Sequence, residues 1–496
     1  MVPGLNPMLA NATAFVSIVF SALFTLAGAE PAAIPGAHVN SPTVLLIGGL
    51  NGNDASAGIV AEEARKYGLR AQSKRPFRLL TIPHANPDGG KLVFPPTGTA
   101  YRDNAESHAL WRSIAIQAPD LILIAGNDGF GMADALSHNP IAGVGRIPAR
   151  RVAADPGLLQ ALPKKIPPSE AHREIERRLA RSPRQLADEL ARYYGHTFPS
   201  PIYINAIALI GQVRLGNIAE AQRLVEPYVN GTKDSLARPT SLTLAGHLIF
   251  AELAARTSDP RYLPLVRRVA DLGFTATGEM KESMPFHDEM SDSIFMATPI
   301  LSRAGALTGE RRYFDMAARH VAFMRKLVLR PDGLYRHSPL TEAAWGRGNA
   351  FPALGLALTL DVFPKTHPEY GRLLQDFQQH MAKLAEFQDS EGMWREVIDE
   401  PASYAEFSAT AMIGTAMAMG VRNGWLDSRT YQPRVDKALR AVNRRVGADG
   451  VLMDVCESTN KQKSLDDYLH RAAILGQDPR GGAMALLFAT EMAGLR

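Results

Sequence analysis

Residues 287–299 read HDEMSDSIFMATP, with Asp288, Glu289 and Asp292 crowded against the apolar Ile294, Phe295 and Met296. A carboxyl at the edge of an apolar run can keep a proton and deliver it to a substrate. The plainer alternative is three solvated anions ahead of a helix, where the dipole favours them. Further along, PDGLYRHSP carries Tyr335 and His337, and AAWGRGNAF carries Trp345, Arg347, Asn349 and Phe351. SEGMWREVIDE adds Trp394, and ASYAEFSATA adds Tyr404, Glu406 and Ser408. Aromatic faces suit the apolar side of a pyranose ring, and arginine offers paired donors to a carboxylate. Together with a carboxylic acid they describe a pocket for an acidic sugar. Each residue also has a simpler role open to it. Trp345 and Phe351 fit a core, His337 fits a surface loop, Arg347 fits a structural pair with Glu406, and Tyr404 and Glu406 fit helix caps.

These segments lie between helices, so the helices must position them. Beyond residue 168, stretches such as YINAIALIGQVRLG, DSIFMATPILSRAGALTG and SATAMIGTAMAMGVRNG have helical spacing and are punctuated by Gly or Asp-Pro. About a dozen such helices fit, hence about six hairpins. LTGERRYFDMA and RTSDPRYLPLV are two similar connections, as a repeated unit requires. Several helices are apolar or small all round, which suits an inner ring buried on both sides. The expected architecture is a closed all-α toroid over 169–496. Before it, TVLLIGGL, FRLLTIPH and DLILIAGND read as buried strands alternating with helices, an α/β domain over 36–155. The proline-rich 156–168 reads as a linker.

Composition is that of a globular chain of 496 residues, 46% apolar and 21% charged, with a net charge of +4. No basic patch interleaved with aromatics points to nucleic acid. The single Cys456 excludes an intrachain disulfide and a thiolate metal cluster. Residues 12–29, ATAFVSIVFSALFTLAGA, end in a small-residue cleavage pattern, so 1–29 reads as a signal peptide and the protein as exported, most simply to a bacterial periplasm. An uncleaved anchor is the competing reading; no other stretch is long enough to span a bilayer.

From about residue 200 onward the chain resembles the unsaturated glycuronyl hydrolases of glycoside hydrolase families 88 and 105, especially the unsaturated rhamnogalacturonyl hydrolases. SDSIFMATPILSRAG, DGLYRHSP, WGRGNAF, FQDSEGMWREVID, SYAEFSATAM and ADGVLMDVCESTN carry the resemblance, in order. It implies an (α/α)6 toroid and a lyase-generated oligosaccharide bearing a 4,5-unsaturated uronic acid, with no cofactor or metal. It implies Asp292 as the general acid and base, and His337, Trp345, Arg347 and Phe351 as substrate-pocket residues. Tyr335, Trp394 and Tyr404 are added from the aromatic segments. One departure stands out: the family's earlier aspartate, near PTSLTLAGHLIF, is replaced by Thr240 and Ser241. A sugar-binding protein with a degenerate toroid is therefore the alternative.

Residues 43–130 resemble, more faintly, the zinc carboxypeptidase fold, through IGGLNGND, IPHANPDGG and AESHALWRSIAIQAPDLILIAGND. That resemblance places Asn51, Asp54 and a position near Asn127 where the family has its ligands. Amides are poor zinc ligands, and His84 and His108 lack ligand spacing. The domain is expected to be catalytically silent, helping to bind glycan or bracing the toroid.

Overall fold

The structure is a computed structural model that describes residues 31–495 apart from 39, 53, 142 and 164. The stretch expected to be a signal peptide, 1–29, lies outside the described residues. Among the described residues, no helix is long and apolar enough to cross a membrane.

The N-terminal region is a five-stranded sheet of β1 (Ala32–Ile34), β2 (Thr43–Ile47), β3 (Arg78–Ile82), β4 (Leu121–Ala125) and β5 (Ala149–Val152). Their order is β1-β3-β2-β4-β5, parallel throughout except for the antiparallel edge strand β1. Crossovers run through α1 (Ala55–Gly68), α2 (Ala105–Gln117) and α3 (Met132–His138). Strands buried on both faces explain the unbroken apolar runs. Val44, Leu46 and Leu79 pack towards α1, and Leu45, Ile47 and Ile122 towards α2 and α3.

The proline-rich segment is no free tether. Leu158 and Leu159 are buried against the α1 face of the sheet. α4 (Glu170–Leu179), assigned by sequence to the toroid, puts Ala171 and Ile175 into the α/β core instead. Apolar contact, not chain order, sets that boundary.

The remainder alternates outer and inner helices. The outer set is α5 (Pro183–Ala191), α7 (Ile218–Val229), α10 (Leu263–Ala270), α12 (Arg311–Val328), α14 (Tyr370–Glu386) and α16 (Ser428–Arg444). The inner set is α6 (Tyr203–Arg214), the broken helix α8 (Ser241–Gly246) with α9 (Leu248–Thr257), α11 (Ser293–Thr308), α13 (Gly346–Leu360), α15 (Phe407–Arg422) and α18 (Pro479–Met492). Each inner helix packs on the next, and α18 returns to α6, so the ring is closed. Every residue of α13 is buried, which is why its sequence shows no polar stripe. Because each hairpin runs outer to inner, all inner helices begin at the same end of the ring. That mouth carries the positive ends of their dipoles, a setting that favours an anionic ligand.

Short strands unseen in the sequence sit at the mouth. β6 (Trp394–Arg395) pairs with β7 (Ala405–Glu406), and β8 (Leu452–Cys456) pairs with β9 (Ala473–Gly476) around the short α17 (Leu465–Leu469). Met453 and Leu475 of the second hairpin enter the α/β core. Arg112 on α2 forms a buried ion pair with Asp454. The N-terminal domain is thereby fixed to the mouth of the ring.

Candidate active site

Asp288 and Glu289 are exposed, as the solvated-turn reading expected; Asp292 is not. Phe286, Asp288 and Glu289 all have positive φ, at 65°, 48° and 56°. Such a run is uncommon for non-glycine residues, and it turns the chain sharply into α11. Asp292 enters that helix with helical dihedrals and does not cap it. Its carboxyl points into the mouth with 16% exposure, and Oδ2 lies 3.3 Å from Nε2 of the fully buried His337. The two atoms are too misaligned for a hydrogen bond, and neither has another protein partner.

His337 is held from three sides. Its Nδ1 meets the Tyr468 hydroxyl at 2.7 Å, its carbonyl accepts from the Ser291 amide at 3.0 Å, and its ring lies 4.5 Å from that of Trp345. Trp345 precedes α13, with its indole N–H on Glu396 Oε1 at 2.8 Å. Of the two glycines in WGRGN, Gly346 is a steric requirement: a Cβ there would stand 2.5 Å from the Arg395 carbonyl, whereas one on Gly348 would come close only to the Ser291 and Trp345 side chains.

Arg347 differs from the sequence expectation of a free fork. Its Nη1 donates to the Cys456 carbonyl at 2.7 Å and to Ser408 at 3.2 Å, and its Nη2 donates to the Glu457 carbonyl at 3.0 Å. Its guanidinium also stacks 4.8 Å from the Trp345 ring, and Glu406 is 3.9 Å away. Arg347 thus ties the end of β8 to the aromatic floor. Glu406 caps α15, as the plainer reading had it, accepting from the amides of Ser408 and Ala409.

Two aromatic assignments need correction. Tyr335 is fully buried, edge-on to His380 of α14 and with its hydroxyl 3.4 Å from Arg325 of α12. The Trp394 indole N–H donates to the Leu384 carbonyl of α14 at 2.7 Å. Both point outwards between the two rings, where aromatic bulk fills the gap, and not into the mouth. Phe351 lies beneath the site, packed on Phe295 and Tyr203. Tyr404 forms a back wall, stacked 4.4 Å from Tyr101 of the N-terminal domain. Its hydroxyl is buried without a hydrogen-bond partner.

Three residues at the site escaped the sequence reading. Tyr203 opens α6; burial, opposed by Arg347 and reinforced by Asp292, pushes its hydroxyl up to about 12. A tyrosine heading an otherwise apolar helix was the available signal. Tyr468 sits on α17 in SLDDYLH, where nothing local marks it; burial pushes it, too, up to about 12. Glu396 is completely buried, and its place between Trp394 and Val397-Ile398 was its only hint. Removing the Tyr468 hydroxyl (Y468F) frees His337 Nδ1, and we expect turnover to fall about 10-fold, read by steady-state kinetics against an unchanged melting temperature.

Where the family's earlier aspartate was expected, Thr240 and Thr243 form a reciprocal cap on α8. Neither nearby acid replaces it. Asp234 is an exposed partner of Arg268 at 2.6 Å, and Asp288 faces solvent. In the N-terminal domain, Asp54 caps α1 and Asn51 donates to the Asn127 carbonyl at 2.7 Å. Among the described residues, no group of three His, Cys, Asp or Glu side chains could hold a metal ion.

The described residues thus form a closed ring of six helix pairs with an acid, a histidine and a tryptophan at its mouth. The sequence profile of Glycosyl Hydrolase Family 88 matches residues 221–495, and the chain belongs to that family. It is 27% identical over 186 residues to the unsaturated rhamnogalacturonyl hydrolase YesR of Bacillus subtilis, covering 36% of this chain and 52% of the relative. It is 29% identical over 169 residues to an unsaturated 3S-rhamnoglycuronyl hydrolase of Formosa agariphila, covering 30% and 45%. The chain spans about half the length of the curated relatives it matches. Among solved structures, a possible member of the GH105 family from Salmonella enterica serovar Paratyphi A superposes with a TM-score of 0.53 at 22% identity. That match covers 68% of this chain and 97% of the other, and it shows the fold alone.

Proposed function

We propose that this protein is an exported hydrolase that removes a 4,5-unsaturated uronic acid from the non-reducing end of lyase-generated oligosaccharides, such as those from pectin or rhamnogalacturonan. The observation that carries the reading is the pair Asp292 Oδ2 and His337 Nε2, facing each other beside Trp345 with no other partner. Two unpartnered groups beside an aromatic face are arranged for a ligand. Asp292 protonates C4 of the enol ether, and water adds at C5 while returning a proton to the carboxylate. The resulting hemiketal collapses, the ring opens, and the remaining sugar leaves. One carboxyl performs both transfers, unlike the paired carboxylates of ordinary glycosidases. The substrate carboxylate is drawn by the helix N-termini at the mouth.

The neutral cap at Thr240 favours a second reading, a sugar-binding toroid without turnover. Unsaturated disaccharides from pectin, rhamnogalacturonan, ulvan and glycosaminoglycan lyases separate the two. Decay of the enol-ether absorbance on at least one of them supports hydrolysis; binding by calorimetry with stable absorbance on all of them supports the second reading. The N-terminal domain is, in this proposal, a silent relative of zinc carboxypeptidases that braces the mouth through Tyr101 and Arg112. Purified protein should then carry no stoichiometric zinc.

A further inference from the structure

Two carboxyls, Glu396 and Glu406, lie completely buried around Arg347 and Cys456. Their surroundings differ. Glu406 accepts from the amides of Ser408, Ala409 and Cys456 and from the Ser408 hydroxyl, so both its oxygens are engaged at the helix N-terminus. Glu396 accepts the Trp345 indole N–H at 2.8 Å and the Cys456 thiol at 3.0 Å, both on Oε1. Its Oε2 is buried with no partner at all. The main chain of Glu396 is engaged as well: its carbonyl accepts from the Gly346 amide at 2.6 Å, and its amide donates to the Tyr404 carbonyl at 2.8 Å. One residue therefore grips the start of α13 through both its side chain and its backbone.

We propose that Glu396 is a positioning residue, which holds the Trp345 ring against His337 and keeps the first turn of α13 in register with Asp292. It does so as the neutral acid. Burial first, and then the neighbouring Glu406 charge, push its carboxyl up to about 8, against opposing pulls from Arg347, the Cys456 thiol and the Trp345 indole. The groups that face it are Glu406 at the start of α15, Arg347 on α13, Cys456 at the end of β8, and the hydroxyls of Tyr404 and Tyr468. Raising the pH past 8 puts a charge on Glu396 beside Glu406 and the one guanidinium, and its Oε2 has no donor to answer it. The native state keeps a proton between the ordinary value of 4.5 and about 8 that the unfolded chain gives up. Stability from this group is thus full at low pH and declines as the pH rises through that window.

Gln mimics the neutral acid, so the test compares full-length wild type, E396Q and W345F by tryptophan fluorescence titrated from about pH 6 to pH 10 without substrate. The expected result is a transition centred near pH 8 in wild type that is absent from both variants. A wild-type transition that survives in E396Q overturns the proposal, as does the absence of any transition in wild type. Should E396Q fail to fold, W345F decides alone, and persistence of the transition there overturns it. Activity adds a second readout that rests on the hydrolase reading: E396Q moves the alkaline limb of kcat/KM upwards, and E396L raises KM about 10-fold. If wild type turns over no unsaturated disaccharide, the hydrolase reading fails, while the fluorescence result still stands on its own.

Discussion

Replacing Asp292 by asparagine is expected to lower turnover by about 1,000-fold, with the ring intact and unsaturated disaccharide still bound. Asparagine has nearly the same shape but no proton to deliver to C4 and no charge to receive one from water. Asp292 does not cap α11 and has no hydrogen-bond partner on Oδ2, so little structure depends on its charge. A melting temperature close to wild type, calorimetric binding, and a collapsed rate of absorbance loss are the three measurements. Equal rates for wild type and D292N would remove Asp292 from the chemistry. His337 cannot take over the role from its position, because its Nδ1 is held by Tyr468 and its Nε2 faces the same acid.

Arg112→Met is expected to destabilise the protein by roughly 3–5 kcal/mol, the cost of leaving a buried charge without its partner. Arg112 and Asp454 are each only 6% exposed in their side chains. Arg112 also lies over the Tyr101 ring, which stacks on Tyr404. Asp454 has φ 65°, a conformation asparagine tolerates better than most residues. R112M with D454N should therefore recover much of the loss, because the orphaned charge is gone while the turn is kept. Urea unfolding followed by circular dichroism measures both. Activity should fall alongside stability in R112M, since β8 leads directly to the Cys456 carbonyl that holds Arg347. A single mutant as stable as wild type would show that the two domains do not depend on this pair.

The contrast between Asp292 and its neighbours shows how far sequence carries. Three carboxylates stand together in HDEMSDSIF, and local rules treat them alike. Only the left-handed turn at 286–289 and the packing of α11 expose two and shelter the third. Tyr335 and Trp394 were misjudged for a related reason. Like Trp345 they lie between helices, but which way each side chain leaves the backbone depends on the helices flanking it. Arg347 looked free because its partners, the carbonyls of Cys456 and Glu457, are backbone groups about 110 residues away that carry no sequence label.

The amino-acid sequence by itself determined the α/β beginning, the ring of helix pairs and the segments that form its mouth. Apolar periodicity and turn residues are local signals, and inner helices buried on every side have to be apolar on every side. Tertiary structure alone decided that α4 joins the α/β core, that Tyr203, Tyr468 and Glu396 reach the site, and that Arg347 is already bonded. Those outcomes depend on contacts between residues distant in the chain, where burial and the pairing of polar groups, not local propensity, select the arrangement.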